Sequence, residues 1–358
     1  MVRLIRAAIP SPRIQRLLIL ALALIVTACS RPPIEERTAD SELFRGVSFV
    51  GMTVTDIDRS AEFYRHGFDV SISEAPLAEI KNLVRVAEPE SALPDQARIL
   101  RSTNAQLLMM DFGDVPHEHL PGAVPVNGPG IAHICYQIDK NKDAYGRFLA
   151  KGAGTIGDPE MVRLSPISPV IYAYAHDPDG IVLEVEHVNM MFVPDSKTQG
   201  VDRRIRHVSF ATADIDKLLN FYASFTGVEK PRRSGRISSD KLDRVSGLPG
   251  SEISMAWIQL GNLELEFIQY HSHPVEAATS PRPLAAPGYN MLVLDVSDLQ
   301  RATERFVAAG GEILPEAVVL EGKKLIVGRD VDGNLVGLYS ADEASPMSAA
   351  SFAYEPSA

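Results

Sequence analysis

The chain is expected to fold as an α+β protein of four βαβββ modules arranged as two tandem domains. Two internal repeats and a recurring strand-then-helix pattern predict this. Asp56-Ile-Asp-Arg-Ser-Ala-Glu-Phe-Tyr64 returns as Asp214-Ile-Asp-Lys-Leu-Leu-Asn-Phe-Tyr222, an offset of 158 that also carries Asn104 onto Asn262 and Gly130 onto Gly288. Asp177-Pro-Asp-Gly180 matches Asp330-Val-Asp-Gly333 at an offset of 153. A period this long marks a duplicated domain and not a solenoid. At 358 residues, 45% apolar and 23% charged, the chain can build a sizeable core in each copy.

The N-terminus reads as a leader outside the fold. Arg3, Arg6, Arg13 and Arg16 form a basic stretch ahead of the apolar run Leu17 to Val26. That run has signal-peptide length and is too short to cross a bilayer as a helix. It ends in Val26-Thr27-Ala28-Cys29, which resembles the lipobox of bacterial lipoproteins. The resemblance implies removal of residues 1–28 and lipidation of Cys29. The chain would then be exported and held to the membrane by that lipid anchor alone, with Ser30 directing it to the outer membrane, facing the periplasm. Residues 29–43 are polar, contain proline and lack periodicity, so they read as a tether. With Cys29 acylated, Cys135 has no partner for a disulfide.

The first domain is placed at 44–194 and the second at 204–342, joined by the polar linker 195–203. A tail at 343–358, rich in Ala, Ser and Pro, is expected to fray. Each domain divides into two halves, and each half opens on an apolar strand: 47–54, 131–138, 207–213 and 291–296. A helix follows, with Asp56, Asp214 and Asp298 suited to cap three of the four. Gly152-Ala-Gly154 and Gly310-Gly311 stop the second-half helices. Three more strands complete each half, and the two Asp-X-Asp-Gly turns are hairpin signals. A net charge of −11, with no basic run after the leader, argues against nucleic acid as a partner.

Four side chains on apolar, strand-like runs carry the chemistry: His133, Glu184, His207 and Glu266. Two imidazoles and two carboxylates form a borderline donor set suited to a divalent first-row metal. Strand alternation puts Cys135 on the face of His133, and Ser209 on that of His207, so both would line the same pocket. Glu186 and Glu264 share faces with Glu184 and Glu266 and are expected at the rim. The remaining histidines, at 66, 117, 119, 176, 187, 271 and 273, follow no ligand-like spacing and read as surface or loop residues.

The run His207-Val-Ser-Phe-Ala-Thr-Ala-Asp-Ile-Asp with Phe221-Tyr222, together with Asp177-Pro-Asp-Gly-Ile-Val-Leu-Glu184, resembles the vicinal oxygen chelate superfamily. That superfamily includes glyoxalase I, epimerases, fosfomycin-resistance proteins and extradiol dioxygenases, and the resemblance covers roughly residues 44–342. It implies that pairs of modules form cups of curved sheet, with one metal ion (Zn, Ni, Fe, Mn or Co) held by the first and last strands of each module. Carried over residue by residue, the ligand positions are Phe49 and Leu108 in module 1, His133 and Glu184 in module 2, His207 and Glu266 in module 3, and Met291 and Gly337 in module 4. If neighbouring modules pair, each cup holds one His and one Glu. If module 1 pairs with 4 and module 2 with 3, as in single-chain tandem glyoxalase I enzymes, one cup holds all four ligands and the other none. The crossed pairing is the expected one.

The function the resemblance implies is that of a metal-dependent lyase or isomerase acting on a small substrate with adjacent oxygens. The metal would be a Lewis acid stabilising an enediolate, and Glu184 or Glu266 the base that moves the proton alpha to the carbonyl. An extradiol-type dioxygenase is the first alternative, although a fourth protein ligand leaves little room for both catechol and O₂. A non-enzymatic, resistance-type binding protein is the second, suited to the ligand-free cup. The chain is read as a monomer.

Overall fold

The computed structural model describes residues 38–352, apart from 117, 118, 164, 167, 190 and 192–202. The leader, Cys29, His117 and all of the linker except Arg203 therefore lie outside the described residues. Module 1 consists of β1 (Phe44–Val54), α1 (Ile57–Phe68), β2 (Ser71–Glu74), α2 (Leu77–Ala87), β3 (Gln96–Arg101) and β4 (Gln106–Asp111). Module 2 consists of β5 (Gly130–Asp139), α3 (Ala144–Ala150), β6 (Gly154–Ile156), β7 (Val170–His176) and β8 (Val182–Val188). Module 3 comprises β9 (Arg203–Ala211), α4 (Ile215–Thr226), β10 (Arg232–Arg233), β11 (Ile237–Ser238), α5 (Asp240–Ser246), β12 (Glu252–Gln259) and β13 (Glu264–Tyr270). Module 4 comprises β14 (Gly288–Val296), α6 (Leu299–Ala308), β15 (Glu312–Leu320), β16 (Lys323–Arg329) and β17 (Leu335–Tyr339).

The expected caps form. Asp56, Asp214 and Asp298 accept from the backbone N–H three residues on, and Asp143 does the same for α3, a cap the sequence reading missed. Modules 1 and 3 depart from plain βαβββ because α2 and α5 interrupt them. Helix α2 buries Ile80, Leu83, Val84 and Ala87, the single stripe of an amphipathic helix.

Two mixed sheets result. One runs β15-β16-β17-β14-β1-β4-β3-β2, the other β10-β12-β13-β9-β5-β8-β7-β6. At the centre of each, the first strands of two modules pair antiparallel: β1 with β14, and β5 with β9. Within each module the first strand runs parallel to the last. Module 1 therefore shares a sheet with module 4, and module 2 with module 3.

The Asn pair at offset 158 ties the sheets together. Asn104 Nδ2 donates to Ile205 O and Asn262 O, while Asn262 Nδ2 donates to Val47 O and Asn104 O, all at 2.7–2.9 Å. The hairpin repeat is explained likewise. Asp177 and Asp330 each accept two backbone N–H groups of their own turn, and their second oxygens accept from Tyr64 and Tyr222 at 2.9 and 3.0 Å. Gly180 and Gly333 close these turns at φ +80° and +87°, where a Cβ would be strained. Each hairpin thereby anchors the helix of the preceding module. Phe63, Phe148, Phe225 and Phe306 of the four principal helices join one apolar cluster on the convex sides of the sheets.

Two boundaries need correction. Residues 39–43, assigned to the tether, belong to the fold: Ala39 is buried and donates to Gln259 O at 2.9 Å, and Asp40 pairs with Arg305 at 2.8 Å. The described part of the tail, residues 343–352, packs on the fold. Buried Asp295 takes Arg45 of β1 on Oδ1 at 3.1 Å, and Ser348 Oγ and Ala349 N donate to its Oδ2 at 2.7 and 2.8 Å. Arg101 caps the same segment through Pro346 O and Ser351 O.

Candidate metal centre

His133, Glu184, His207 and Glu266 come from β5, β8, β9 and β13, the four central strands of the second sheet. Period-two alternation and register put all four on one face, since His133 and Glu266 each pair with Ser209 and Glu184 pairs with Cys135. Between Ile134↔Val208 and Tyr136↔Ile205 the β5–β9 ladder gains one residue on β9, and a second shift lies between Ile131 and His133. Such bulges turn adjacent side chains toward one face. Arg206 and His207 both point into the cup as a result, while Ile205 and Val208 stay in the convex core.

The convergence is tight. His133 Nε2 lies 3.4 Å from His207 Nε2, 3.1 Å from Glu184 Oε2 and 3.4 Å from Glu266 Oε2. His207 Nε2 lies 3.4 Å from each of the same carboxylate oxygens. The four donor atoms all fall within 4.8 Å of one another, and all four residues are buried. Donors 3.1–3.4 Å apart can share a point about 2.1 Å from each, the usual bond length from a first-row ion to nitrogen or carboxylate oxygen. Two carboxylates buried together are also costly unless cationic charge sits between them. Burial pulls His133 down, but Glu184 and Glu266 outweigh it and push its pKa up to about 9. Burial opposes ionisation of the carboxyls as well, yet the imidazoles prevail: Glu266 falls to about 2 and Glu184 well below the carboxylate range. The donor set and its spacing fit a divalent ion.

The surroundings distinguish the two glutamates. Trp257, directly across from Glu266 on β12, donates Nε1–H to Glu266 Oε1 at 2.8 Å. Arg232 stacks 4.0 Å above the Trp257 ring and binds Glu264 at 2.9 Å. Among the described residues Glu184 has only the two imidazoles as polar partners. Neither His133 Nδ1 nor His207 Nδ1 finds a partner, so the support usual for a metal-bound histidine falls instead on Glu266. Trp257 was not singled out from sequence, since only the hairpin register brings it to Glu266.

Cys135 reaches the cup as expected, its Sγ close to carboxylate oxygens of Glu184 and Glu186. Ser209 is buried there too, its hydroxyl without a partner. Glu186 is not at the rim: it is buried, bound by Arg206 and Gln137. Arg206 spans Glu186 and Glu264, and their charge outweighs burial to hold it protonated. Glu264 is half-buried beside Arg232 and Arg206. Of the other described histidines, His187 is buried and accepts from Tyr145 N at 3.2 Å, so it is a core residue. Tyr174 packs its ring 4.9 Å from that of His133. With Tyr172, Tyr270, Leu242 and Val245 it lines a cavity of about 30 Å³, room for about one water, at the mouth of the cup.

Phe49, Leu108, Met291 and Gly337 occupy the same register in the first sheet. Leu108 faces Gly51 as Glu266 faces Ser209, and Gly337 faces Val293 as Glu184 faces Cys135. Phe49, Leu108 and Met291 pack with Ile80, Leu83 and Val84 of α2 in an apolar cluster.

The profile of the Glyoxalase/Bleomycin resistance protein/Dioxygenase superfamily matches residues 46–185 and again 204–338. Among solved structures, glyoxalase I from Zea mays is similar to this chain at 16% identity and a TM-score of 0.57, over 82% of this chain and 92% of that one. A putative dioxygenase from Bacillus subtilis is similar at 12% identity and a TM-score of 0.53, over 83% and 85%. At these identities the likeness concerns the fold alone. No curated protein matches the chain in sequence. Two profile matches spanning most of the described residues, one in each half of a duplicated βαβββ architecture, show that the chain belongs to the Glyoxalase/Bleomycin resistance protein/Dioxygenase superfamily.

Proposed function

We propose that the chain is a metal-dependent lyase or isomerase that moves a proton at a carbon alpha to a carbonyl. The observation that carries this reading is the buried meeting of four donors from modules 2 and 3 at 3.1–3.4 Å. His133, His207, Glu184 and Glu266 would hold a divalent ion, which when bound supplies Lewis acidity toward neighbouring substrate oxygens. Glu184 is the better candidate base, because Trp257 holds Glu266 in place while nothing comparable restrains Glu184. Its carboxylate takes the proton and returns it, and the burial of all four donor residues limits the access of bulk water.

The test is deuterium exchange at the alpha carbon of a small α-hydroxy ketone in D₂O, with purified, metal-loaded protein. Exchange should proceed with the native chain and fall about 10²–10⁴-fold in Glu184→Gln. No exchange, together with oxygen uptake on a catechol, would move the reading to a ring-cleaving dioxygenase. Four protein donors argue against that reading, since a facial triad has three.

The N-terminal part of the proposal places the enzyme outside the cytoplasm, on a lipid at Cys29 in the outer membrane. It rests on the basic stretch, the short apolar run and Val26-Thr27-Ala28-Cys29. Labelling by a fatty-acid analogue should vanish in Cys29→Ser, and persistent labelling would contradict it.

A further inference from the structure

A second cavity lies away from the His/Glu cluster, and none of the four donor residues lines it. It measures about 360 Å³ and is bounded by the start of β5, the loop 277–282, the start of β14 and the β16–β17 hairpin. That volume is in the range of small-molecule sites. Three cationic side chains line it: Lys217, Arg282 and Arg329. Lys217 is already neutralised, with Nζ 3.0 Å from Asp332 Oδ1. The two guanidiniums are not. Among the described residues no carboxylate lies within ion-pair distance of either, and their protein partners are backbone carbonyls only: Pro121 O and Pro287 O for Arg282, Ala87 O and Gly333 O for Arg329.

The acids that line the cavity do not offset this charge. Asp332 is spent on Lys217 and Thr212. Asp330 is turned into its own hairpin, where it accepts from two backbone N–H groups, Asn334 and Tyr222. Burial pulls the Arg329 pKa down, and Glu88, exposed Glu312 and Asp330 oppose it only from beyond ion-pair distance and do not outweigh it. Arg282 Nε is buried without any partner. Burial alone pulls the Arg282 pKa down, with no acid to oppose it. In a chain of net charge −11, a half-buried arginine that no acid meets is an open demand for an anion. The repeat shows that the feature is local: the offsets 158 and 153 place Val124 and His176 where Arg282 and Arg329 stand.

We infer that this cavity is a binding site for a small organic anion, a phosphate or a carboxylate, held by Arg282 and Arg329 and separate from the proposed metal centre. A planar guanidinium suits either anion, and the cavity exceeds what a single inorganic phosphate fills. The inference stands whether or not the cluster carries a metal.

The test is calorimetric titration of the full chain with inorganic phosphate and, separately, with malonate. At least one should bind saturably in native protein, with a rise in Tm, and which one binds tells phosphate from carboxylate. Arg282→Met should weaken that binding by about tenfold or more, Arg282→Lys by less, and His207→Gln not at all. If Arg282→Met does not fold, Arg329→Met carries the same expectation. Absence of saturable binding by both anions would overturn the inference, as would undiminished affinity in the folded arginine variants. Loss of binding in His207→Gln would show that the anion sits at the His/Glu cluster instead.

Discussion

At one register of one repeated fold, the cup of modules 2 and 3 holds His133, Glu184, His207 and Glu266, while the cup of modules 1 and 4 holds Met291, Gly337, Phe49 and Leu108. The strand pairings beneath the two sets are the same. What differs is how each cup is filled. In the apolar cup, α2 lays four side chains against the sheet, and Phe49 and Leu108 are fully buried against them. A side chain at Gly337 would start 2.8 Å from Val293, so a glutamate could not be restored there without repacking. In the polar cup the shorter α5 contributes Leu242 and Val245 above the donors, with tyrosines around the mouth. One cup has become a core and contributes stability. The other concentrates buried charge, which costs stability unless a cation joins it. The comparison teaches that after duplication a single site can carry the chemistry while its twin becomes packing.

The largest expected effects separate the cups by readout. His207→Ala should abolish metal retention and reduce alpha-proton exchange to background, with the chain still folded by circular dichroism. Phe49→Ala should do the reverse. It should cost about 3–5 kcal/mol in denaturant unfolding, the range for a fully buried Phe, and leave metal content unchanged. Loss of metal in a folded Phe49→Ala chain would break the division between the cups.

A smaller effect tests the support of the donors. Trp257→Phe removes the hydrogen bond to Glu266 and keeps most of the aromatic bulk. Metal affinity should fall about 10–100-fold, measured by competition with a chelator, with little change in stability. Equal affinity would mean that Trp257 only packs beside Arg232.

The smallest effect is in pH, and only the polar cup should show it. With no metal bound, His133 is raised to about 9. A group raised above its unfolded value stabilises fully below the ordinary imidazole pKa of about 6.5 and loses that contribution as pH climbs through about 9. Metal-free protein should therefore lose stability between those values. Metal affinity should run the opposite way, since binding must displace the His133 proton and so strengthens with rising pH up to about 9. The cost of Phe49→Ala should not depend on pH across that window. Parallel trends in affinity and metal-free stability would contradict the assignment of His133.

Much of this was legible in the chain. The Asp caps, the two hairpins and the central strands follow from local chemistry, and the repeat offsets put the four donor positions in register. Helix α2 could have been read from its Ile80, Leu83, Val84, Ala87 spacing but was hidden inside an expected strand segment. The burial of Glu186 was not legible, because its partner Arg206 faces the cup only through the β9 bulge. The role of Trp257 depends on a cross-strand pairing that local pattern does not specify. The docking of residues 345–352 depends on a buried Asp295 that needs distant donors.

The central claim, one occupied cup and one packed cup, is tested most directly by the metal content of the purified chain. Protein prepared anaerobically without added chelator should carry one divalent ion per chain. X-ray absorption should show mixed nitrogen and oxygen donors at about 2.0–2.2 Å. The ion should be lost in His133→Ala and retained in Met291→Ala. A chain that binds no ion under any loading condition, or one that binds two, would contradict the account.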